Sequence, residues 1–309
     1  MLLVAAAHAA EPLPALHADA GTFTVSGLSS GGYMAVQVHV AHSTRVKGVA
    51  ALAAGPYNCA QGSLWTARSN CQSSPVPPIQ LLHQQTRLLE GTGQIDPTAH
   101  LASAKVWLFS GTNDKTVVPA VVAALKDYYV SFKADPVLVA DKPAGHAMVT
   151  EEIGNPCSST AAPYINDCDY DAAGALLRHL VGELAPPGAA GRLISFDQKP
   201  YAASGMADEA FAYVPKACEM ERCRVHVAFH GCRQSAREFA EGAGYNRWAA
   251  SNRLVVLYPQ ARSSFWPFNP RGCWDWWGYT GPQYATKQAP QVRAVLAMVE
   301  RLSASSPTR

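Results

Sequence analysis

Charge is what this sequence has least of. Lys and Arg number 25 and Asp and Glu 23, a formal net charge of +2 over 309 residues. Without a basic surplus there is no electrostatic footprint for a phosphate backbone, so nucleic acid is not an expected partner. Charged residues make up 16% of the chain, against about a quarter in an average globular protein. The exposed surface must then be neutral and polar, which suits adsorption to something uncharged. No stretch approaches the ~18 apolar residues that span a bilayer, and no repeat or low-complexity tract is present. A membrane span is not expected. The C-x-x-C pairs and Cys/His clusters of zinc sites are missing too, and no metal is expected.

Cysteine itself is not scarce. The eight cysteines are many for a reducing compartment, which points to structural disulfides and export. In order they fall into neighbours: Cys59 and Cys71, Cys157 and Cys168, Cys218 and Cys223, Cys232 and Cys273. That pairing is one of 105 possible connectivities. The opening "MLLVAAAHAAEPLPAL" is apolar and reaches Ala7-His8-Ala9, a pattern like a signal-peptidase site. Residues 1–10 read as the tail of a signal peptide, predicting a secreted or periplasmic protein.

With 48% hydrophobic residues the chain can bury a sizeable core. Strand-like runs at Thr22–Ser26, Val46–Ala54, Lys105–Phe109, Pro136–Ala140, Arg224–Phe229 and Leu254–Tyr258 alternate with helical periods. Those periods cover Gly31–His42, Leu81–Leu89, Val117–Phe132, Ala172–Leu184, Ser235–Asn252 and Gln288–Leu302. Such alternation predicts an α/β fold with a mostly parallel sheet and helices on both faces. "GELAPPGAAGRLISF" reads as a linker, but the same alternation resumes beyond it. One domain over residues 20–305 is expected, with no separate substrate-binding domain.

Between the first strand and first helix stands "FTVSGLSSGGYM". Gly27–Gly31 fits G-x-S-x-G, in which a strand turns sharply into a helix so that one serine hydroxyl stands clear of the backbone. Side chains two positions either side of that serine would collide, hence glycine there. Ser29 is the candidate nucleophile. In folds of this type the acid and then the histidine follow in the chain. "SGTNDKTV" places Asp114 after the strand Lys105–Phe109, and "AGHAMV" places His146 after the next. His146 would take the serine's proton and Asp114 would hold its tautomer. Asp141, five residues before His146, is the weaker competitor.

"VAFHGCRQ" supplies an H-G turn like the oxyanion loop of lipases and esterases, yet it follows all three triad candidates instead of preceding the nucleophile. Joining the last helix to the first strand would restore the usual order. The chain therefore reads as a circularly permuted α/β-hydrolase fold, with the N–H groups of Ser30 and Cys232 as the candidate oxyanion hole.

"VSGLSSGGYMAVQ", "AGPYNCA", "FSGTNDKTV", "AGHAM", "FHGCRQ" and "NPRGCWDWWGYTG" together resemble the single-domain, circularly permuted poly(3-hydroxybutyrate) depolymerases. The resemblance runs from about residue 20 to 303. It implies hydrolysis of a solid or amorphous short-chain polyester through an acyl-enzyme, with no cofactor. The mature protein is expected to be soluble, for want of a membrane-length apolar run, and a monomer. The resemblance also implies disulfides, Cys232–Cys273 among them, tying the oxyanion loop to the Trp-rich loop. Trp274, Trp276 and Trp277 in that loop, and Tyr57, are then candidates for contact with the polymer, with Phe265, Trp266 and Phe268 behind them. At most one of the three loop tryptophans is expected to touch substrate, since buried packing is the commoner use of the residue. The alternative is a secreted feruloyl or acetylxylan type of carbohydrate esterase, which shares the "HGC" and "GCWDW" vocabulary.

Overall fold

The computed structural model describes residues 11–201 and 203–305; the signal-peptide reading of residues 1–10 lies outside them. The chain enters β1 (Asp19–Leu28), turns into α1 (Ser30–Ala41) and returns as β2 (Val46–Leu52). Two helices follow, α2 (Leu64–Ser69) and α3 (Ile79–Gly91), then β3 (Lys105–Phe109), α4 (Pro119–Ser131) and the short β4 (Val137–Val139). A small excursion of β5 (Met148–Thr150), β6 (Asn155–Pro156) and β7 (Ile165–Asp167) leads to α5 (Ala172–Val181). The second half comprises β8 (Gly191–Asp197), β9 (Glu209–Pro215), β10 (Arg224–Phe229), α6 (Ala236–Gly242), α7 (Tyr245–Ser251), β11 (Leu254–Tyr258) and α8 (Pro290–Ser303).

The main sheet has the order β4-β3-β2-β1-β10-β11-β9-β8. Its pairings are parallel except that β9 runs antiparallel to both β11 and β8. Residues of β2, β3, β10 and β11 are apolar and buried almost without a break, as expected for parallel strands covered on both faces. In β1 the alternation separates two environments. Phe23 and Val25 join the apolar core. Thr24 and Ser26 instead reach a buried histidine: Thr24 Oγ1 lies 2.7 Å from His226 Nδ1, and Ser26 Oγ lies 2.7 Å from His226 Nε2 and from the Tyr245 hydroxyl. Burial pulls the His226 imidazole down to about 3, so the ring is neutral and the network carries no charge.

The permuted connectivity is visible in how the last helix meets the first strand. The N–H groups of Leu16 and Ala18, on the way into β1, both donate to the carbonyl of Leu302 at 3.0 Å. Arg301 Nε donates to the Leu13 carbonyl at 2.9 Å. Connected there, α8 would feed directly into β1, with the H-G turn after β10 ahead of the nucleophile.

The structure corrects two readings. Part of the expected linker is β8, paired with β9 from Gly191↔Pro215 to Asp197↔Glu209. Its Pro and Gly lie just before the strand, and their composition hid it. The single helix expected over 235–252 is two, broken at Gly244, which has φ 85°. Four disulfides join the cysteines as sequence neighbours, Cys59–Cys71, Cys157–Cys168, Cys218–Cys223 and Cys232–Cys273. Among the described residues no helix is long and apolar enough to cross a membrane.

Candidate active site

Ser29 sits between β1 and α1 with φ 55° and ψ −122°, a conformation that costs a non-glycine residue energy and persists only where its surroundings impose it. They do so by proximity. A Cβ on Gly27 would stand 2.3 Å from the Gly31 carbonyl, and one on Gly31 would stand 2.3 Å from the Phe229 carbonyl oxygen. The start of α1 is thus pressed against both its own strand and the end of β10, which only glycine permits. The Ser29 N–H is used, donating to the Leu52 carbonyl at 2.9 Å.

The same rim of the sheet carries the other two candidates. Backbone bonds stitch the strand ends in a row: Ser29 to Leu52, Ala53 to Phe109 at 3.0 Å, and Ser110 to Val139 at 2.9 Å. Asp114 follows β3 and His146 follows β4, outside the carboxyl ends of the strands where parallel sheets place their sites. His146 Nδ1 lies 2.8 Å from Asp114 Oδ2, both side chains buried. The carboxylate can only accept, so Nδ1 carries the proton and Nε2 is left as a base. The other oxygen, Asp114 Oδ1, accepts the N–H groups of Thr116 and Val117 at 2.8 and 3.0 Å, which fixes the carboxylate plane. The base loop is held just as closely. Gly145 N donates to Cys157 O at 2.8 Å, His146 N donates to Thr160 Oγ1 at 3.0 Å, and Cys157–Cys168 fastens the segment beneath. Asp141, by contrast, is exposed and pairs with Lys142 at 3.1 Å.

The oxyanion turn after β10 is fixed by two buried side chains. His230 Nδ1 donates to the Gly231 carbonyl at 2.7 Å, a tautomer set by the Ala261 N–H donating to Nε2 at 3.0 Å. Burial lowers the His230 imidazole to about 4, which keeps it neutral. In a trans peptide the N–H points opposite to the C=O, so anchoring the Gly231 oxygen also aims the Cys232 N–H. Gln234 accepts the Gly231 N–H at 2.6 Å from the other side. Ser30, at the first position of α1, has an N–H without an intrahelical acceptor. Its Oγ accepts from Trp274 N at 3.3 Å, and Cys232–Cys273 ties the turn to the same loop.

A serine on a strained turn, an oriented His–Asp pair and a braced turn after β10 are the parts that acyl transfer calls for. The family model described as Esterase PHB depolymerase matches residues 209–305. The chain is 45% identical to the poly(3-hydroxybutyrate) depolymerase of Delftia acidovorans, covering 98% of this chain and 64% of that protein. It is 36% identical to the polyhydroxybutyrate depolymerase of Talaromyces funiculosus, covering 97% of this chain and 95% of the fungal one. This chain belongs to the poly(3-hydroxybutyrate) depolymerase family. A solved depolymerase variant complexed with an R3HB trimer superposes with a TM-score of 0.88 at 35% identity, over 94% of this chain and 98% of that one. The crystal structure of the depolymerase from Penicillium funiculosum matches equally well, with a TM-score of 0.88. The chain thus spans 64% of the length of the bacterial relative and nearly all of the fungal ones.

On the substrate side this depolymerase-family chain departs from expectation. Trp274 is fully buried, its ring 5.1 Å from Phe229 in an edge-on contact. Tyr57 is buried too, its hydroxyl donating to the Ala285 carbonyl at 2.6 Å. Neither can touch a polymer; both are core residues. Trp276 is nearly buried and stacks on Tyr33 at 4.1 Å, while Trp277 is partly buried. Both border a cavity that also touches Cys232. Asp275 organises the Trp-rich loop. Its carboxylate accepts from Gly278 N at 2.7 Å and from Thr280 N and Oγ1 at 2.8 and 2.6 Å. Gln37 of α1 donates to the Asp275 carbonyl at 2.9 Å.

The aromatics that do face solvent are close in the chain to residues that line that cavity. Phe265 is 90%, Trp266 88% and Trp65 80% exposed, with Phe268 also exposed. Phe268 and Leu64 line the cavity itself. Trp65 was not among the sequence candidates. Its signal was there to read: a tryptophan among polar residues, in the short stretch closed by Cys59–Cys71.

Proposed function

We propose that this chain hydrolyses the ester bonds of poly(3-hydroxybutyrate) or a similar short-chain polyhydroxyalkanoate through an acyl-enzyme. The observation that carries the reading is the His146–Asp114 pair, buried at 2.8 Å on the same strand-end rim as Ser29, in a chain of the depolymerase family. Ser29 Oγ attacks the ester carbonyl while His146 Nε2 takes its proton. The oxyanion that forms is held by the N–H groups of Ser30 and Cys232. His146 returns the proton to the departing hydroxyl, leaving an acyl group on Ser29, and a water activated by the same histidine releases it. Asp114 keeps its hold on Nδ1–H and stabilises the imidazolium.

The exposed Trp65, Phe265, Trp266 and Phe268 are the groups through which the protein meets a solid apolar polymer, with Trp276 and Trp277 lining the way to the reacting centre. An apolar patch on a chain with so few charges suits a neutral surface. Four disulfides fit work in an oxidising compartment, in the periplasm or outside the cell, and the chain acts as a monomer in one catalytic domain. Release of soluble 3-hydroxybutyrate from a polymer suspension tests the reading. Hydrolysis of feruloyl or acetylxylan esters with no attack on the polymer would replace it by the carbohydrate-esterase alternative.

A further inference from the structure

The cavity beside the oxyanion turn, about 290 Å³ in volume, is lined by Leu64, Gln72, Phe268 and Trp277 and by two arginines, Arg68 and Arg271. No Asp or Glu lines it. Neither arginine has an ion pair among the described residues. Each is carried by a segment that a disulfide fastens: Arg68 on α2 inside the Cys59–Cys71 loop, and Arg271 two residues before Cys273 in the bridge to Cys232. Two exposed arginines without an ion pair at the edge of a largely apolar cavity are an odd provision for a neutral polyester. They match one part of it. A 3-hydroxybutyrate chain is neutral along its length and ends in one carboxylate, and the planar fork of an arginine pairs with carboxylates in a bidentate fashion.

We propose that Arg68 and Arg271 form a subsite for the terminal carboxylate of 3-hydroxyacyl oligomers, a refinement that rests on the depolymerase reading above. The free carboxylate lies on the alcohol side of every ester in such a chain. With that end seated between the arginines, Ser29 attacks the ester upstream. The leaving group takes a proton from His146 and departs as a short hydroxy acid, and the rest of the chain stays on Ser29 as the acyl group. The cavity lies near the lower end of the range for small-molecule sites, roughly 300–1,000 Å³, so the piece released is one or two units long. Soluble oligomers are then preferred for their charged end, whereas polymer is attacked through its neutral surface.

The test compares the 3-hydroxybutyrate trimer bearing a free carboxylate with its methyl ester, in the parent and in the Arg68→Gln, Arg271→Gln and doubly substituted proteins. At low salt the parent should favour the acid by about five- to tenfold in kcat/KM, chiefly through KM, as expected for two partly solvated charge-assisted contacts. The preference should shrink at high salt, where the screening length contracts, and fall toward one in the double variant. A parent ratio near one, or a ratio unchanged in the double variant, overturns the subsite while leaving the esterase reading intact. A parent that cleaves neither trimer nor polymer overturns both. The salt series uses the parent alone, so it decides the matter even if a variant folds poorly.

Discussion

Oε1 of Gln234 accepts the N–H of Gly231 at 2.6 Å, while its Nε2 donates to the carbonyls of Pro163 and Tyr164 at 2.8 and 3.2 Å. Tyr164 O in turn accepts from Met148 N at 2.9 Å, two residues past His146. One buried amide therefore joins the candidate oxyanion turn to the strand beside the loop of His146. Gln234→Ala should lower kcat on a p-nitrophenyl ester about ten- to a hundredfold with little change in KM, because a loosened oxyanion donor is missed most in the transition state. Gln234→Glu, which keeps the acceptor and loses the donor, should recover only part. A raised KM with full kcat would contradict this role.

The two acidic residues of the base region should separate cleanly. Asp114 lies against His146 Nδ1 and is itself held by two backbone N–H groups. Asp114→Asn should cost about 10⁴-fold in kcat, the order seen when an orienting acid is neutralised in a serine triad. Asp141 is exposed and bonded to the adjacent Lys142, and Asp141→Asn should stay within about twofold, as surface changes do. Comparable losses in both would mean that the orienting acid is misassigned.

Two disulfides offer a matched contrast. Cys232–Cys273 spans 41 residues and Cys218–Cys223 spans 5. Loop entropy puts the first at about 4 kcal/mol and the second at about 2. Replacing either pair by serine should lower the denaturant midpoint accordingly. Only the Cys232–Cys273 replacement should also depress kcat in the protein that remains folded, because that bond braces the oxyanion turn. Equal kinetic effects from the two pairs would argue against this.

Acid should destabilise the fold before the carboxylates titrate. His39, His226 and His230 are buried, and desolvation pulls them to about 3, about 3 and about 4. Their pKa values are lowered on folding, so the unfolded chain binds more protons and stability falls with pH. The contribution is complete above about pH 6.5, the ordinary value of a free histidine, and drains as pH drops toward 4. Each ring adds about 1.4 kcal/mol per pH unit inside that window. Guanidinium unfolding should reveal a proton uptake that rises toward three from these rings as pH goes from 6.5 to 5, with His42 and His179, also lowered by burial, adding to it; a flat profile would contradict the buried neutral rings.

The strand-end placement of the candidate residues was legible because it is set locally. The strain at Ser29 demands Gly27 and Gly31 by position, and Asp114 and His146 each follow an apolar strand closely enough to be placed at its end. The substrate side was less so. Trp274 and Tyr57 have the same apolar character whether they bind a polymer or fill a core, and only the packing of Phe229 and Ala285 around them decides. Trp65 was passed over because α2 is too short to show a period. The antiparallel pair β8–β9 was hidden because Pro186, Pro187 and Gly188 precede a strand whose residues are mostly half-exposed. The break at Gly244 depends on a backbone angle that a helical period does not report.

On this reading Ser29 opens a polyester from the face carrying the exposed aromatics. The direct measurement is clearing of a turbid poly(3-hydroxybutyrate) suspension by the parent and by Ser29→Ala, with bound protein and soluble 3-hydroxybutyrate products quantified in the same tubes. Both proteins should adsorb, while only the parent should clear the suspension and release product. Clearing by Ser29→Ala at the parent's rate, or a parent that hydrolyses p-nitrophenyl esters yet neither adsorbs to nor clears the polymer, would contradict it.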